Sequence, residues 1–116
     1  MKEDLDRFLP LPPAALHILL SLAGEERHGY AIMQEVARQS EGRYKLGPGT
    51  LYDNLQKLMK ERLVEETENT ATGAESRRRY YRLTKIGKRV LSAEIARLET
   101  AIREAKVRLG FQRNPA

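Results

Sequence analysis

Gly47-Pro48-Gly49-Thr50-Leu51-Tyr52-Asp53-Asn54-Leu55-Gln56-Lys57-Leu58, followed further on by Arg77-Arg78-Arg79-Tyr80-Tyr81-Arg82-Leu83, decides the reading of this chain. The Gly-Pro-Gly interrupts whatever precedes it. Pro48 lacks an N–H and Thr50 can accept one, so both suit the first turn of a helix. Leu51, Leu55, Leu58 and Met59 recur at spacings that put them on one stripe, while Thr50, Asp53, Gln56, Lys57 and Lys60 cover the opposite arc. One face packs and the other is free to touch a partner. The Arg- and Tyr-rich stretch, reached through a polar, turn-rich segment, reads as the returning strand of a hairpin.

Upstream of this helix, Pro12 and Pro13 open a first helix, in which Leu16, Leu19, Leu20 and Ala23 fall on one side before Gly24 offers a stop. That side reads as plain core. A second helix runs from Tyr30 to Ser40 with Ile32, Met33, Val36 and Ala37 as its buried stripe, and Gly42 lies just past its end. Residues 41–47 make a connector longer than the tightest helix-turn-helix turn. Leu63 and Val64 start a strand that reaches about Glu68, residues 69–76 form the polar loop, and Arg77 to Thr84 return. A last helix starts after Thr84, a natural N-cap, and continues to Leu109, where Gly110 can end it. The expected fold is mostly α within the α+β class: a winged helix-turn-helix with a two-stranded wing and a long C-terminal helix. The expected organisation is an N-terminal arm or helix over 1–10, the winged helix over 11–84, the C-terminal helix over 85–110 and a tail over 111–116.

Composition narrows the function. A chain of 116 residues makes one domain with one core, and 41% hydrophobic content favours folding over disorder. Lys and Arg outnumber Asp and Glu by 21 to 16, a formal charge of +5 that suits a polyanionic partner. With no cysteine there is no disulfide, thiolate metal site or thiol nucleophile, which is compatible with a reducing cytosol. The first residues show no signal peptide, and no run approaches the roughly 18 to 20 apolar residues of a membrane span. A soluble, cytoplasmic protein is expected, without a membrane partner. Only His17 and His28 occur, and neither has the spaced carboxylate or second imidazole of a metal or acid–base site. Each reads as a satisfied or solvated histidine. Gly47 and Gly49 lack the Gly-Lys-Ser/Thr or third glycine of a phosphate loop. No enzyme activity, metal or cofactor is expected.

For double-stranded DNA the residues are constructive. A helix entering the major groove needs polar side chains on its first two turns, where they reach base edges. Thr50, Asp53, Asn54, Gln56 and Lys57 supply them: Lys reaches guanine acceptors, Asn and Gln pair with adenine, and Asp53 accepts from cytosine or orients Lys57 at i, i+4. A solvated helix face would carry the same residues. Along the returning strand, Arg77, Arg79, Tyr81 and Leu83 face one way and Arg78, Tyr80 and Arg82 the other, with Leu83 and Tyr81 toward the core. Arg77 and Arg78, nearest the tip, suit phosphate contact, whereas Arg79 and Arg82 suit phosphates or pairing with Glu65, Glu66 and Glu68 across the hairpin. In the last helix Leu91, Ile95, Leu98, Ile102, Ala105 and Leu109 alternate by four and three, the rhythm of a coiled-coil seam. Such a seam left in water calls for a partner, so it reads as a homodimer interface; folding back onto its own domain is the alternative. The N-terminal segment around Leu5, Phe8 and Leu9 could wrap the partner's last helix.

The segments Leu11 to Leu19, Arg27-His28-Gly29-Tyr30-Ala31-Ile32, Gly49-Thr50-Leu51-Tyr52 and Arg79-Tyr80-Tyr81-Arg82-Leu83-Thr84-Lys85-Ile86-Gly87-Lys88 resemble the PadR family of bacterial transcriptional regulators, in order and over nearly the whole chain. The resemblance implies a homodimeric winged-helix repressor of the short-tailed branch, with the last helix as dimer element, operator DNA as partner and a small-molecule effector. It implies DNA contacts at Tyr30, Thr50, Tyr52, Asn54, Gln56 and Lys57, and on the wing near Gly73 and Arg77. Two positions depart from the family's pattern: Asp53 stands where many relatives have proline, and Arg62 where many have glycine. A winged-helix module that binds only proteins, its arginines serving solubility, is the competing class.

Overall fold

In the computed structural model, which describes residues 4–67 and 79–111, each helix begins where its local chemistry allows. Helix α1, Pro13–Ser21, places proline in its first turn and the Pro12 carbonyl accepts the Leu16 N–H at 2.9 Å. A two-residue strand β1, Arg27–His28, leads into α2, Gly29–Gln39, which is capped by His28: its Nδ1 accepts the Ala31 N–H at 3.2 Å. Helix α3, Pro48–Lys60, has Gly47 at its N-cap without a capping side chain, so Thr50 lies inside the first turn and Pro48 alone does the starting. Strands β2, Val64–Thr67, and β3, Tyr80–Leu83, follow. Helix α4, Lys85–Leu109, starts under the Thr84 hydroxyl, which accepts the Gly87 N–H at 2.9 Å, and ends at Gly110 with φ of 80°.

The sheet has three strands in the order β1-β3-β2, all antiparallel, where the sequence reading had two. Arg27 opposes Tyr81 and His28 opposes Tyr80. Two residues are too few to show a period, so β1 left no signal to read. Beneath the sheet, Ile18, Leu19, Ile32, Val36, Leu51, Leu55, Leu63 and Val90 are fully buried. The buried side of α1 also differs from the expected one. Ala15, Ile18 and Leu19 of the helix and Leu22 beyond it are buried, Leu16 and Leu20 are half-buried at the edge, and Ala23 is exposed. The helix packs against α2, α3 and α4 at once, and a nearly all-apolar segment offers no polar arc to mark its outside.

Two contacts dock α4. Gly87 lies so close to β2 that a methyl group on it would overlap the Leu63 carbonyl, which permits only glycine there. One turn past Val90, the buried carboxylate of Glu94 accepts the Leu11 N–H at 3.1 Å and two bonds from Arg97, at 2.7 and 3.0 Å. The Arg97 pairing, against the opposing cost of burial, holds that carboxyl below its ordinary range. Glu94 thereby pins the start of the domain, and the short 3₁₀ helix Leu5–Phe8 packs on α4 of the same chain through partly buried Leu5, Phe8 and Leu9.

Arg62 ends α3 in the left-handed region, with φ of 64°, while the Leu63 N–H reaches the Leu58 carbonyl at 2.9 Å. The Thr84 hydroxyl donates to the Arg62 carbonyl at 2.6 Å and holds the turn. A β-carbon in this conformation costs about 1–2 kcal/mol and glycine's larger unfolded-state entropy offsets about 0.4–1 kcal/mol of that, so Arg62→Gly should stabilise the fold by up to roughly 1 kcal/mol. Urea unfolding measures it, and a lower midpoint would show that the arginine side chain itself holds the turn. On α2, Glu35 takes bonds from Arg38 at 2.6 and 3.0 Å and from Gln39 at 2.9 Å. The Arg38 bonds first, opposed by burial and aided by the charge of Arg27, lower its carboxyl from 4.5 to about 2. A depressed carboxyl contributes stability that is present above 4.5 and lost as pH falls toward about 2, so Glu35→Gln should flatten the acid limb of stability against pH in that window.

Candidate nucleic-acid interface

Leu51, Leu55 and Leu58 sink one side of α3 into the core, which turns Thr50, Tyr52, Asp53, Gln56, Lys57 and Lys60 outward. Asp53, Gln56, Lys57 and Lys60 line one shallow depression with Met59. Among the described residues no ion pair joins Asp53 to Lys57, so the expected i, i+4 orientation is not made and both side chains stand free. Asn54 is half-buried and its amide donates to the Thr50 carbonyl at 2.9 Å, which commits one of its two N–H bonds to the helix. Tyr30, in the first turn of α2, is 60% exposed and Tyr52 45% exposed. The end of the Tyr52 ring lies directly against Gly29.

The base of the wing is occupied by its own ion pairs. Arg82 bonds Glu65 at 2.8 Å directly across the strands, and Arg79 reaches Glu66 at 3.3 Å. These pairs are exposed and contribute little to stability, yet they give both arginines the cross-strand partners that the alternation allowed. Tyr81 is buried as the alternation requires, and burial first, then the neighbouring Glu66 carboxylate and Tyr52 phenol, raise its hydroxyl above the ordinary value. Gly73, Arg77, Arg78 and Glu68 lie outside the described residues.

Several neighbours of this face escaped the sequence reading. Arg7 stacks over Phe8, 4.3 Å from the ring centre, and shares a groove with Asn54, Lys57 and Glu61, so the N-terminal segment sets a cation beside α3. Only the fold brings residue 7 there. Arg43 and Lys45 are exposed in the connector before α3. His17, expected to be satisfied or solvated, is half-buried: it stacks on Tyr44 at 4.5 Å and its buried Nδ1 has no hydrogen-bond partner. Tyr44 comes from the connector, which carries no period that would place it over α1.

The α4 seam divides in two. Leu91 is buried in its own domain's core and Ile95 packs against it. Leu98 is half-buried, whereas Ile102 at 52%, Ala105 and Leu109 at 67% are exposed, as are Val107 and Phe111. The first turns of the seam therefore serve the chain's own fold, and the apolar surface left over begins at Leu98.

Residues 18–93 match the transcriptional regulator PadR-like family. A transcriptional regulator of Mycobacterium tuberculosis is 36% identical over 101 residues, 87% of each chain. Among solved structures, a PadR family transcription regulator from Clostridium difficile superposes with a TM-score of 0.67 at 24% identity, over 84% of this chain and 98% of that one. Bacillus subtilis PadR, solved in complex with operator DNA, gives a TM-score of 0.64 at 24% identity, over 74% of this chain and 48% of that one.

Proposed function

The chain belongs to the PadR-like family of transcriptional regulators, and from that premise we propose that it is a homodimeric repressor which binds a pseudo-palindromic operator and is released by a small-molecule effector. The observation that carries the DNA reading is the outward polar arc of α3, free of ion pairs among the described residues and backed by a buried leucine stripe. Thr50, Asp53, Asn54, Gln56 and Lys57 would read bases, with Tyr30 beside them, and Gly73, Arg77 and Arg78 would meet the backbone from the wing. Arg7, Arg43 and Lys45 extend the cationic surface at either end of that helix. Bacillus subtilis PadR, of like fold, has been solved in complex with operator DNA, which supports operator DNA as the partner here. The place of action would be the cytoplasm, on the nucleoid.

Dimerisation is supported by the exposed part of α4. Ile102, Ala105 and Leu109 continue the seam that Leu98 begins, on a helix that extends beyond its own domain's core. Two copies packed along this seam would bury what a monomer leaves in water. Leu91 and Ile95 would then brace the interface from inside each domain. In this organisation residues 11–84 form the reading unit, 85–110 the dimer element and 1–10 an N-terminal arm, whose 3₁₀ helix Leu5–Phe8 packs on α4. An effector at or near the seam would act by changing the separation of the two α3 helices.

On the site that a footprint of the protein finds in the DNA upstream of its own coding region, Lys57→Ala should cost about 1–3 kcal/mol, and much less on scrambled DNA, if the lysine reaches a base edge. Equal losses on both would reassign it to phosphate, and affinity insensitive to salt would favour the protein-binding module instead. The footprint itself should show half-sites about one helical turn, roughly 34 Å, apart. Ile102→Glu places a charge in the proposed seam but on a residue already exposed in one chain, so the fold should survive while light scattering reports monomers. A dimer that persisted would move the interface off α4.

A further inference from the structure

Gly29 begins α2 with no positive φ, so backbone conformation is not what demands glycine there. What fills the space a side chain would take is Tyr52. A methyl group on Gly29 would overlap the Tyr52 hydroxyl and crowd the ring carbon that bears it. Gly29 is buried beneath that ring although its neighbour Tyr30 is exposed, so the phenol of the part-exposed Tyr52 ends in a socket floored by the Gly29 backbone. Beside the socket is Tyr81, the buried centre of β3, which faces Arg27 of β1 on one side and Glu66 of β2 on the other. The ring of Tyr52 thus reaches from the reading helix to the point where α2 starts and the wing is rooted.

An aliphatic stripe alone leaves a helix some freedom to roll, because leucines can repack with little change in volume. A rigid ring stopped by a backbone wall removes that freedom. We propose that Tyr52 is a positioning residue: seated on Gly29, it sets the rotation of α3 against α2 and the wing, and through it the choice of DNA site, without itself reading a base. The inference rests on the DNA-binding function proposed above. A tyrosine that reads DNA would present its hydroxyl outward, whereas this hydroxyl faces Gly29.

The test uses the full chain as wild type, Gly29→Ala, Tyr52→Phe and the double variant, with a duplex carrying the footprinted upstream site and a scrambled duplex of equal length. Gly29→Ala should weaken binding to the site roughly tenfold, the size of one lost base contact, with scrambled DNA changed by less than about twofold. Tyr52→Phe should stay within about twofold of wild type on both, and in the double variant it should restore part of the loss, because the overlap with the hydroxyl is gone and only the ring-carbon contact at 2.9 Å is left. A large loss from Tyr52→Phe alone, with no recovery in the double variant, would overturn the proposal by giving the hydroxyl to DNA. So would unaltered binding by Gly29→Ala, or a fall on both duplexes that merely tracks a lower melting temperature. The melts of the four proteins report the Gly29–Tyr52 coupling without DNA. A wild type with no site preference would therefore sink the DNA reading and its specificity claim, while non-additive melts would still show the socket.

Discussion

Four elements are joined at Leu63. Its N–H closes the end of α3 on the Leu58 carbonyl, and its own carbonyl accepts the Thr84 N–H at 3.1 Å, where β3 ends. That same carbonyl is what leaves no room for a side chain on Gly87, in the first turn of α4. Thr84 completes the joint from the other side, its hydroxyl donating to the Arg62 carbonyl and accepting from Gly87. The C-terminus of the reading helix, the root of the wing and the N-terminus of the long helix therefore share one hydrogen-bonded node. The strained φ of Arg62 is the cost of turning the chain so sharply into β2.

Such a node limits how α3 and α4 can move relative to each other. Any change in the direction of α4 would have to disturb the Leu63 carbonyl, the Thr84 cap or the buried Glu94 pairing with Leu11 and Arg97. Each is buried or partly buried, so breaking one without a replacement partner is expensive. An effector that altered the proposed dimer would act with most leverage on rotation of whole domains about the exposed half of α4, beyond Leu98, where no such bonds to the domain are made.

Much of this was legible in the residues. Thr84 and Gly110 bracket α4 because capping chemistry is local, and the outward arc of α3 and the inward Tyr81 and Leu83 follow from periods of 3.6 and 2. What was not legible is what depends on distant segments meeting. β1 is too short to carry a period. The inner face of α1 is hidden by its uniform apolarity. Leu91 belongs to the core rather than to a free seam because α4 lies against α1, which no spacing within α4 reveals. Asn54 is half-buried, and its bond to Thr50 is a detail of rotamer that sequence does not reach.

Charge is distributed by chemistry as well as by count. Arg27, Arg38, Arg79, Arg82, Arg97 and Arg108 all pair with glutamates, while among the described residues no lysine joins an ion pair. The planar guanidinium matches a carboxylate in two places, and the compact ammonium does not. Glutamates thus neutralise these six arginines, and the formal excess of +5 rests on the lysines together with the arginines outside such pairs, Arg7, Arg43, Arg62 and Arg103 among them. Lys45, Lys57 and Lys60 lie before and along α3, so half of the six described lysines stand by the reading helix, while Lys85, Lys88 and Lys106 lie on α4. A face whose cations are already bound to their own carboxylates must break those pairs to meet a phosphate. The α3 face has no such pairs to break.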